Sequence, residues 1–377
     1  MARHKLIATA ALGTEDLCAA ELKALGFQGI HPRKGAIEFQ GSLIDGLSAC
    51  LSLRTAMRVL VPIARVAAPS PEGLYDALLR LSWTDHLSLR TTFAFDVSGQ
   101  SEGLTHTLFV AQKAKDAVVD QLRERLGGRP SVDRTNPDVR ITLHLHRGQA
   151  DISLDLAGDS LHRRGYRRGQ NTAQLKETLA AAVLLAADYR GDRALCDPMC
   201  GSGTLAIEGA LMALNRPPNL DRQFACERWP SFGDPERKAL AEMRAALRAK
   251  VKKEGPPIFA SDRAPEAVEA TRRNAQAAGV TIAVSEADAR TLGPLPQRGL
   301  VVVNPPYGGR IGGGGGMKQL KSFYHALGVR WRGLHGCDIA VLSGAEEFES
   351  AFGMKPRGRR TLYNGPLRCE LLTYRVT

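Results

Sequence analysis

The sequence lacks the features of a membrane or secreted protein. No apolar run approaches the roughly 20 residues that a membrane-spanning helix requires. The first residues, Met-Ala-Arg-His-Lys-Leu-Ile, contain no signal-peptide core. We therefore expect a cytoplasmic protein with no membrane partner.

Cysteine is present, but not in a pairing pattern. The seven cysteines form no Cys-x-x-Cys pair, and their odd number argues against a disulfide framework. The closest two, Cys196 and Cys200, are not followed by a histidine at zinc-ligand spacing. We therefore expect reduced cysteines and no bound metal.

Acidic charge is scarce in the second part of the chain. Residues 1–160 contain 18 Lys/Arg and 18 Asp/Glu, so the totals of 51 and 39 leave 33 and 21 for residues 161–377. The formal net charge of +12 arises wholly from that second part. Such a surplus favours a polyanionic partner, RNA or DNA, and any basic patch in residues 1–160 must be local.

The order of predicted strands and helices divides the chain. Residues 1–58 follow a β-α-β-β-α pattern typical of a ferredoxin-like module. Residues 59–160 form a second α+β module that ends in a hairpin around Arg147-Gly148. In residues 171–377 strands alternate with helices, which predicts an α/β domain with a parallel sheet and helices on both faces.

Residues 161–170 form a basic linker between these parts. The linker contains four arginines and no acid, with an aromatic residue among them. Such a run is typical of a solvated loop, but beside an enzyme core it also suits RNA phosphates and bases. We predict RNA contacts for Arg163, Arg164, Tyr166, Arg167 and Arg168.

A glycine-containing turn joins a predicted strand at 194–197 to a helix that begins near residue 204. The turn is composed of Asp197, Pro198, Met199, Cys200, Gly201, Ser202, Gly203 and Thr204. Glycine lets a ligand approach the backbone. Gly201-x-Gly203-x-x-Ala206 also matches the dinucleotide fingerprint. A nicotinamide cofactor is therefore an alternative ligand for the same turn.

Three acids end successive predicted strands. Asp197 stands where a carboxylate reaches the ammonium of an amino-acid-like ligand and would repel a pyrophosphate. Asp262 is placed to bind the hydroxyls of a ribose, and Asp288 to accept the amino group of an adenine. Together the three acids favour an adenosyl amino acid without phosphate.

A second motif follows the apolar strand Leu300–Val303. Asn304-Pro305-Pro306-Tyr307 ends that strand at the carboxyl edge of the sheet, where open α/β folds bind ligands. An exocyclic purine amine is a poor nucleophile that must be aimed, and the Asn304 side chain and Pro305 carbonyl supply two acceptors for its hydrogens. Tyr307 is suited to stacking on the target base.

These segments together resemble class I methyltransferases that modify amino groups. The resemblance is closer to the THUMP-domain RNA guanine-N2 methyltransferases, in particular the bacterial 23S ribosomal RNA enzymes. It is carried by residues 131–140, 160–167, 175–182, 197–204, 224–229, 304–308 and 362–365.

The resemblance implies a ferredoxin-like domain, a THUMP RNA-binding domain and a Rossmann-like methyltransferase domain with a seven-stranded sheet. It implies S-adenosylmethionine as methyl donor, bound by residues 197–204, Asp262, Asp288 and Asn304. Asn304, Pro305 and Tyr307 would then face the base. The implied acceptor is the N2 amine of a guanine in structured RNA, most often 23S ribosomal RNA.

In some relatives a second methyltransferase follows this unit. Here the sequence ends at Thr377, so we expect a single activity, and we expect a monomer. Relatives usually carry an acid after Asn-Pro-Pro-Tyr-Gly, where this chain has Gly309, and residues 312–316 are all glycine. For that glycine run we hypothesise a mobile lip over the active site.

Other functions stay open. A tRNA guanine-N2 methyltransferase is the nearest, because THUMP domains also recognise tRNA. DNA adenine-N6 and protein glutamine methyltransferases share Asn-Pro-Pro-Tyr but give no reason for the first 160 residues. A non-catalytic RNA-binding or assembly factor would not need the intact motifs, and a nicotinamide oxidoreductase rests on the glycine turn alone.

Overall fold

The computed structural model describes residues 4–167, 175–293, 295–296, 298–306 and 316–377. Within these residues the backbone forms an eight-stranded sheet in the first part of the chain and a seven-stranded sheet in the second. No helix of these ranges is both long and apolar enough to cross a membrane.

The first sheet is mainly antiparallel and has the strand order β2-β3-β1-β4-β8-β7-β5-β6. Its strands and the accompanying helices are, in chain order, β1 His4–Ala10, α1 Glu15–Ala24, β2 Gln28–Arg33, β3 Ala36–Gly41, α2 Leu43–Ser52, β4 Ala56–Ala67, α3 Pro71–Leu79, β5 Thr92–Gly99, α4 Thr107–Leu126, β6 Ser131–Val132, β7 Val139–His146 and β8 Gln149–Asp155. The predicted hairpin between β7 and β8 is confirmed. Its turn residues Arg147 and Gly148 have φ of 45° and 74°, as a tight two-residue hairpin turn requires.

Strand β4 joins the two modules predicted from the sequence. It is 12 residues long and pairs with β1 on one side and with β8 on the other. The predicted boundary between residues 58 and 59 falls inside this strand. The two modules therefore share one continuous sheet, because no turn residue interrupts the apolar run through Val59, Leu60 and Val61.

The second sheet has the strand order β11-β10-β9-β12-β13-β15-β14. Its elements are α5 Glu177–Ala186, β9 Leu195–Asp197, α6 Thr204–Ala213, α7 Asp234–Ala249, β10 Ile258–Asp262, α8 Pro265–Ala278, β11 Ala283–Glu286, β12 Leu300–Val303, α9 Gly316–Trp331, β13 Asp338–Ser343, α10 Phe348–Phe352, β14 Gly358–Asn364 and β15 Leu367–Arg375. Strands β9 to β13 are parallel, and β15 is antiparallel to both β13 and β14. The predicted α/β domain and the seven strands implied by the resemblance are confirmed, and β15 is the antiparallel exception in a sheet otherwise parallel.

The direction of winding reverses between two central strands. From β9 the chain proceeds outward to β10 and β11, and it then returns to β12 on the other side of β9. Adjacent loops leave in opposite directions at such a switch point, so a crevice opens beyond the carboxyl ends of the strands. This crevice lies between the glycine turn after β9 and the Asn-Pro-Pro segment after β12.

A segment of the second part packs into the core of the first. Residues 224–240 lie between α6 and β10 in sequence, but five of their side chains join the core beneath the eight-stranded sheet, namely Phe224, Cys226, Trp229, Phe232 and Leu240. The Asn219 side-chain amide also donates to the Cys50 carbonyl at 2.9 Å. The interface between the two parts therefore includes a buried apolar core, which holds them as one packed body.

The basic linker is partly buried at this junction. The side chains of Arg164 and Glu208 are 1% and 0% exposed, and their Nε and Oε1 atoms are 3.6 Å apart. Arg164 also donates to the Leu161 carbonyl at 2.7 Å, and the Tyr166 hydroxyl donates to Glu208 at 3.1 Å. RNA contacts predicted for Arg164 and Tyr166 are thus corrected to a structural role, since neither side chain reaches the surface. For Arg163, whose side chain is 69% exposed, the RNA contact stays a prediction.

We predict that Arg164→Ala lowers the free energy of unfolding by about 3 to 5 kcal/mol, because it leaves the Glu208 carboxylate buried without its cationic partner. Arg163→Ala, at the exposed neighbour, should change it by less than about 0.5 kcal/mol. Urea unfolding followed by tryptophan fluorescence measures both. Equal losses for the two variants would contradict a structural role specific to Arg164.

Candidate active site

The ends of four parallel strands bring the predicted site residues to one edge. Asp197 ends β9, Asp262 ends β10 and Asn304 follows β12 directly. Asp288 lies two residues beyond β11 and caps the short 3-10 turn Ala289–Thr291. Since the carboxyl ends of neighbouring parallel strands coincide, the structure brings these four predicted residues to the same rim of the crevice.

The two glycines of the turn are needed for different reasons. Both have positive φ, 54° at Gly201 and 83° at Gly203, which L side chains rarely adopt. A Cβ atom at Gly201 would meet no atom of the described residues within 4 Å, so among them this backbone faces open space. A Cβ at Gly203 would lie 2.7 Å from Cγ2 of Thr271. Gly201 thus leaves room for a ligand, and Gly203 lets α8 pack closely.

Side chains from β10 and α8 hold the turn in place. Asp262 Oδ2 accepts from the Gly201 N–H at 2.9 Å. Thr271 Oγ1 donates to the Gly201 carbonyl at 3.0 Å, and Asn274 Nδ2 donates to the Ser202 carbonyl at 2.9 Å. Thr271 and Asn274 were not among the predicted site residues. Their signal is two polar residues three apart on the apolar face of α8, where a buried polar group requires a partner.

Asp197 is the most perturbed acid at this edge. Its side chain is buried, with the residue 1% exposed, and Oδ1 accepts from the Met199 N–H at 3.3 Å. Loss of hydration, with a smaller contribution from the Asp262 charge, raises its pKa from 3.8 to about 8. Burial therefore favours the protonated form of Asp197 near neutral pH, and an ammonium group beside it would favour the ionised form.

Asp262 is engaged at both oxygens. Besides the Gly201 N–H, its carboxylate accepts from the Ala264 N–H at 3.0 Å. Each carboxylate oxygen has a second lone pair, so the predicted contact to ribose hydroxyls stays chemically available.

Asp288 is paired with a neighbouring arginine. The Arg290 side chain donates to both of its oxygens, at 3.0 Å from Nε to Oδ1 and 2.5 Å from Nη2 to Oδ2. This hydrogen bonding holds the pKa of Asp288 below its usual range. The Arg290 side chain is 52% exposed and can move aside, as the predicted adenine contact requires.

The Asn-Pro-Pro segment presents an unsatisfied acceptor. Asn304 Oδ1 is buried and has no hydrogen-bond partner among the described residues. Pro305 is buried beside it. A buried amide oxygen without a donor costs free energy, so its partner is expected to be a ligand group. Tyr307 and most of the 312–316 glycine run lie outside the described residues.

The last linker residue of the described chain contacts the cofactor turn. Arg167 Nη2 donates to Thr204 Oγ1 at 2.9 Å and to the Leu175 carbonyl at 2.8 Å. Its Nε lies 3.3 Å from the Glu177 carboxylate. Arg167 therefore braces the start of α6, and these contacts occupy the side chain for which RNA binding was predicted. Arg168 lies outside the described residues.

The strand order, the glycine turn and the Asn-Pro-Pro segment at the switch point define a Rossmann-like methyltransferase domain. The chain belongs to the family described as the RMKL-like methyltransferase domain, whose model matches residues 164–373. An RlmL ferredoxin-like domain matches residues 5–60, and a THUMP domain matches residues 69–155. The predicted fold class is thereby confirmed.

Relatives of known name are similar over nearly the whole chain. "Ribosomal RNA large subunit methyltransferase K/L" of Syntrophotalea carbinolica is 40% identical over 99% of this chain and 53% of its own length. The protein of the same name from Methylococcus capsulatus is 42% identical over 98% of this chain and 51% of its own. The chain thus spans about half the length of these relatives.

A solved structure matches the whole described fold. The crystal structure of SMU.472 complexed with SAH superimposes with a TM-score of 0.89 at 27% identity. The match covers 100% of this chain and 99% of that one. The packing of the eight-stranded first sheet against the methyltransferase domain is therefore similar in both proteins.

We predict that Asp197→Asn changes the dependence of stability on pH. In the folded wild-type protein Asp197 keeps a proton that the unfolded chain releases above about pH 4, so its contribution to the free energy of unfolding falls by about 1.4 kcal/mol per pH unit until about pH 8. Asparagine removes this dependence. The variant should therefore gain stability relative to wild type as pH rises, and level off above that value.

Urea unfolding between about pH 5 and pH 9 measures this difference. Asp192→Asn, at an exposed carboxyl on the approach to β9, is the control and should follow the wild-type curve. Parallel curves for wild type and Asp197→Asn would mean that the Asp197 carboxyl is not held protonated.

Proposed function

We propose that the chain transfers a methyl group from S-adenosylmethionine to the exocyclic N2 amine of a guanine in structured RNA, with 23S ribosomal RNA as the substrate. The observation that carries this proposal is the buried Oδ1 of Asn304, which has no hydrogen-bond partner among the described residues. Asn304 follows β12, and the Gly201 turn follows the adjacent strand β9, so both lie at the switch point.

The acceptor chemistry follows from the two oxygens after β12. An exocyclic guanine amine carries two hydrogens and a lone pair delocalised into the ring. Asn304 Oδ1 and the Pro305 carbonyl accept these hydrogens and turn the nitrogen toward the methyl group, which lowers the barrier by orientation without a strong base. An amine donor also supplies a partner for Asn304 Oδ1, which has none in the described part of the chain.

The donor chemistry follows from the turn after β9. The amino-acid part of S-adenosylmethionine carries an ammonium group, for which a buried Asp197 is a suited partner, and the open backbone at Gly201 leaves room for the ligand. Asp262 and Asp288 are the candidates for ribose and adenine. The SAH bound to the similar protein SMU.472 is the product that the donor leaves after methyl transfer.

The ribosomal RNA substrate is supported by the names of the relatives and by the matched THUMP domain. Because the chain spans about half the length of those relatives, their substrate is carried over to this chain as part of the proposal.

A surface for RNA is available on the open face of the first sheet. A cleft of about 1540 Å³ crosses both modules and is lined by residues of β1, β4, β5, β7 and β8. Lys5, Arg33 and Lys34 lie at one end of it, and Lys5 and Arg33 pair only loosely with Glu38, at 3.8 and 3.9 Å. Exposed cations beside such loose pairs are free to exchange a carboxylate for a phosphate. We therefore assign RNA contact to this cleft and to Arg163.

The test of the proposal is transfer of labelled methyl from S-adenosylmethionine to undermodified 23S ribosomal RNA, followed by nucleoside analysis. We expect N2-methylguanosine. Asn304→Ala should reduce turnover by at least about 100-fold with little change in cofactor affinity, because a positioned polar group is lost. Asn304→Asp, which keeps an acceptor oxygen, should lose less.

Other outcomes distinguish the alternative functions. Methylation of tRNA but not of ribosomal RNA would identify a tRNA guanine-N2 methyltransferase. Cofactor binding without transfer to any RNA would indicate a non-catalytic factor, and near-normal turnover of Asn304→Ala would remove the role given to Asn304.

We also predict that charge reversal in the cleft weakens RNA binding. Replacing Lys5, Arg33 and Lys34 together by glutamate should weaken RNA binding at low salt and reduce the slope of log affinity against log salt by about 2 to 3, because phosphate contacts release counterions. Cofactor affinity should not change, since the cleft is remote in sequence and fold from the crevice.

The matched control carries the same change in charge on and beside helix α7. Lys238, Lys252 and Lys253 are exposed, and their replacement by glutamate alters net charge equally. If this control weakens RNA binding and the cleft variant does not, RNA crosses α7 and the assignment of the cleft is wrong.

A further inference from the structure

The Asn304-Pro305-Pro306 segment has few backbone groups through which hydrogen bonds can fix its position. Proline has a fixed φ and no N–H, so neither Pro305 nor Pro306 can be tied down by its own backbone donor. Apart from the Asn304 N–H, the carbonyl oxygens are the anchor points of this backbone. The placement of Asn304 and of the Pro305 carbonyl therefore depends on which groups donate to the segment.

A buried tyrosine supplies such a donor. Tyr324 on α9 is 0% exposed, and its hydroxyl donates to the Pro306 carbonyl at 2.5 Å. Its ring packs edge-to-face on Phe348, with centroids 4.7 Å apart. A ring enclosed in this way cannot change rotamer without disturbing the core, so the hydroxyl is a fixed point.

The same helix anchors the neighbouring loop. Trp331, seven residues or about two turns further along α9, lies on the same face. Its Nε1 donates to the Ala289 carbonyl at 3.0 Å, and Ala289 directly follows Asp288. One face of α9 thus holds both the segment proposed to face the base and the loop proposed to face the adenine.

We propose that Tyr324 is a positioning residue for methyl transfer, which fixes the Asn-Pro-Pro segment through the Pro306 carbonyl. Its side chain is fully buried, so it acts on the reaction through that segment and does not contact base or cofactor. The expected effect on kcat rests on the function proposed above, whereas the restraint of the segment by the hydrogen bond from Tyr324 does not.

A matched control separates anchoring from packing. Tyr374 belongs to the same core cluster and is 2% exposed, with its ring 5.1 Å from that of Phe352. Its hydroxyl is buried and has no hydrogen-bond partner among the described residues. Tyr374→Phe and Tyr324→Phe remove the same atom from the same core, but only the second removes the bond to Pro306.

The experiment compares the two variants in steady-state methyl transfer, in SAH binding by calorimetry and in thermal unfolding. Tyr324→Phe should lower kcat by about 10- to 100-fold, because a misplacement on the scale of 1 Å at the reacting group has effects of this size. Its SAH affinity and KM for RNA should stay within about twofold of wild type. Tyr374→Phe should keep kcat within about twofold.

A second readout needs no activity. Hydrogen exchange at the Val303 and Asn304 amides should be at least about fivefold faster in Tyr324→Phe than in Tyr374→Phe, as expected for the loss of one hydrogen bond that restrains local opening. Equal exchange in the two variants would overturn the proposal, as would equal kcat.

The two proposals fail in distinguishable ways. If the wild-type protein methylates no RNA, the proposed function is wrong, and the exchange comparison still decides whether Tyr324 anchors the segment. If the wild-type protein is active and Tyr324→Phe affects only thermal stability, the tyrosine is a core residue and the positioning role is rejected.

Discussion

The common edge at which four parallel strands end is the constraint on which the rest of the structure depends. Parallel pairing of β9 with β10 and β12, and of β10 with β11, places their carboxyl ends side by side. The reversal of winding between β9 and β12 then leaves a crevice at that edge. Residues as distant in sequence as Asp197 and Asn304 meet there because backbone pairing requires it.

The site combines firm backbone anchoring with unsatisfied polar groups. The turn at Gly201 is held by Asp262, Thr271 and Asn274, and the Pro306 carbonyl by Tyr324. In contrast, burial raises the pKa of Asp197 and so disfavours its charged form. Asn304 Oδ1 lacks a partner among the described residues. Rigid supports around incompletely satisfied groups are what preorganised binding requires, because the ligand completes the hydrogen bonds without moving the backbone.

The two parts of the chain are joined by packing that crosses their sequence boundary. Aromatic residues of 224–240 enter the core of the first part, and Arg164 and Tyr166 meet Glu208 in the buried junction. A buried ion pair of this kind adds little net stability over an apolar replacement, because the two charges lose their hydration, but loss of one partner leaves the other charge buried. The sheet that carries the cleft is thereby held in a fixed orientation to the crevice, which suits the RNA methylation proposed above.

Local patterns in the sequence were sufficient for the α/β class, the hairpin at Arg147 and the strand-end positions of Asp197, Asp262 and Asn304, whereas the seven-stranded sheet was implied by the family resemblance. Strand ends, glycine turns and prolines are local signals, because they reflect the backbone preferences of adjacent residues. Other features depended on contacts between distant residues. The continuous sheet through β4, the burial of Arg164 and the support given by Thr271, Asn274 and Tyr324 arise from tertiary packing. A linker rich in arginine has the same sequence whether it meets water or Glu208, and only the fold determines which of the two it contacts.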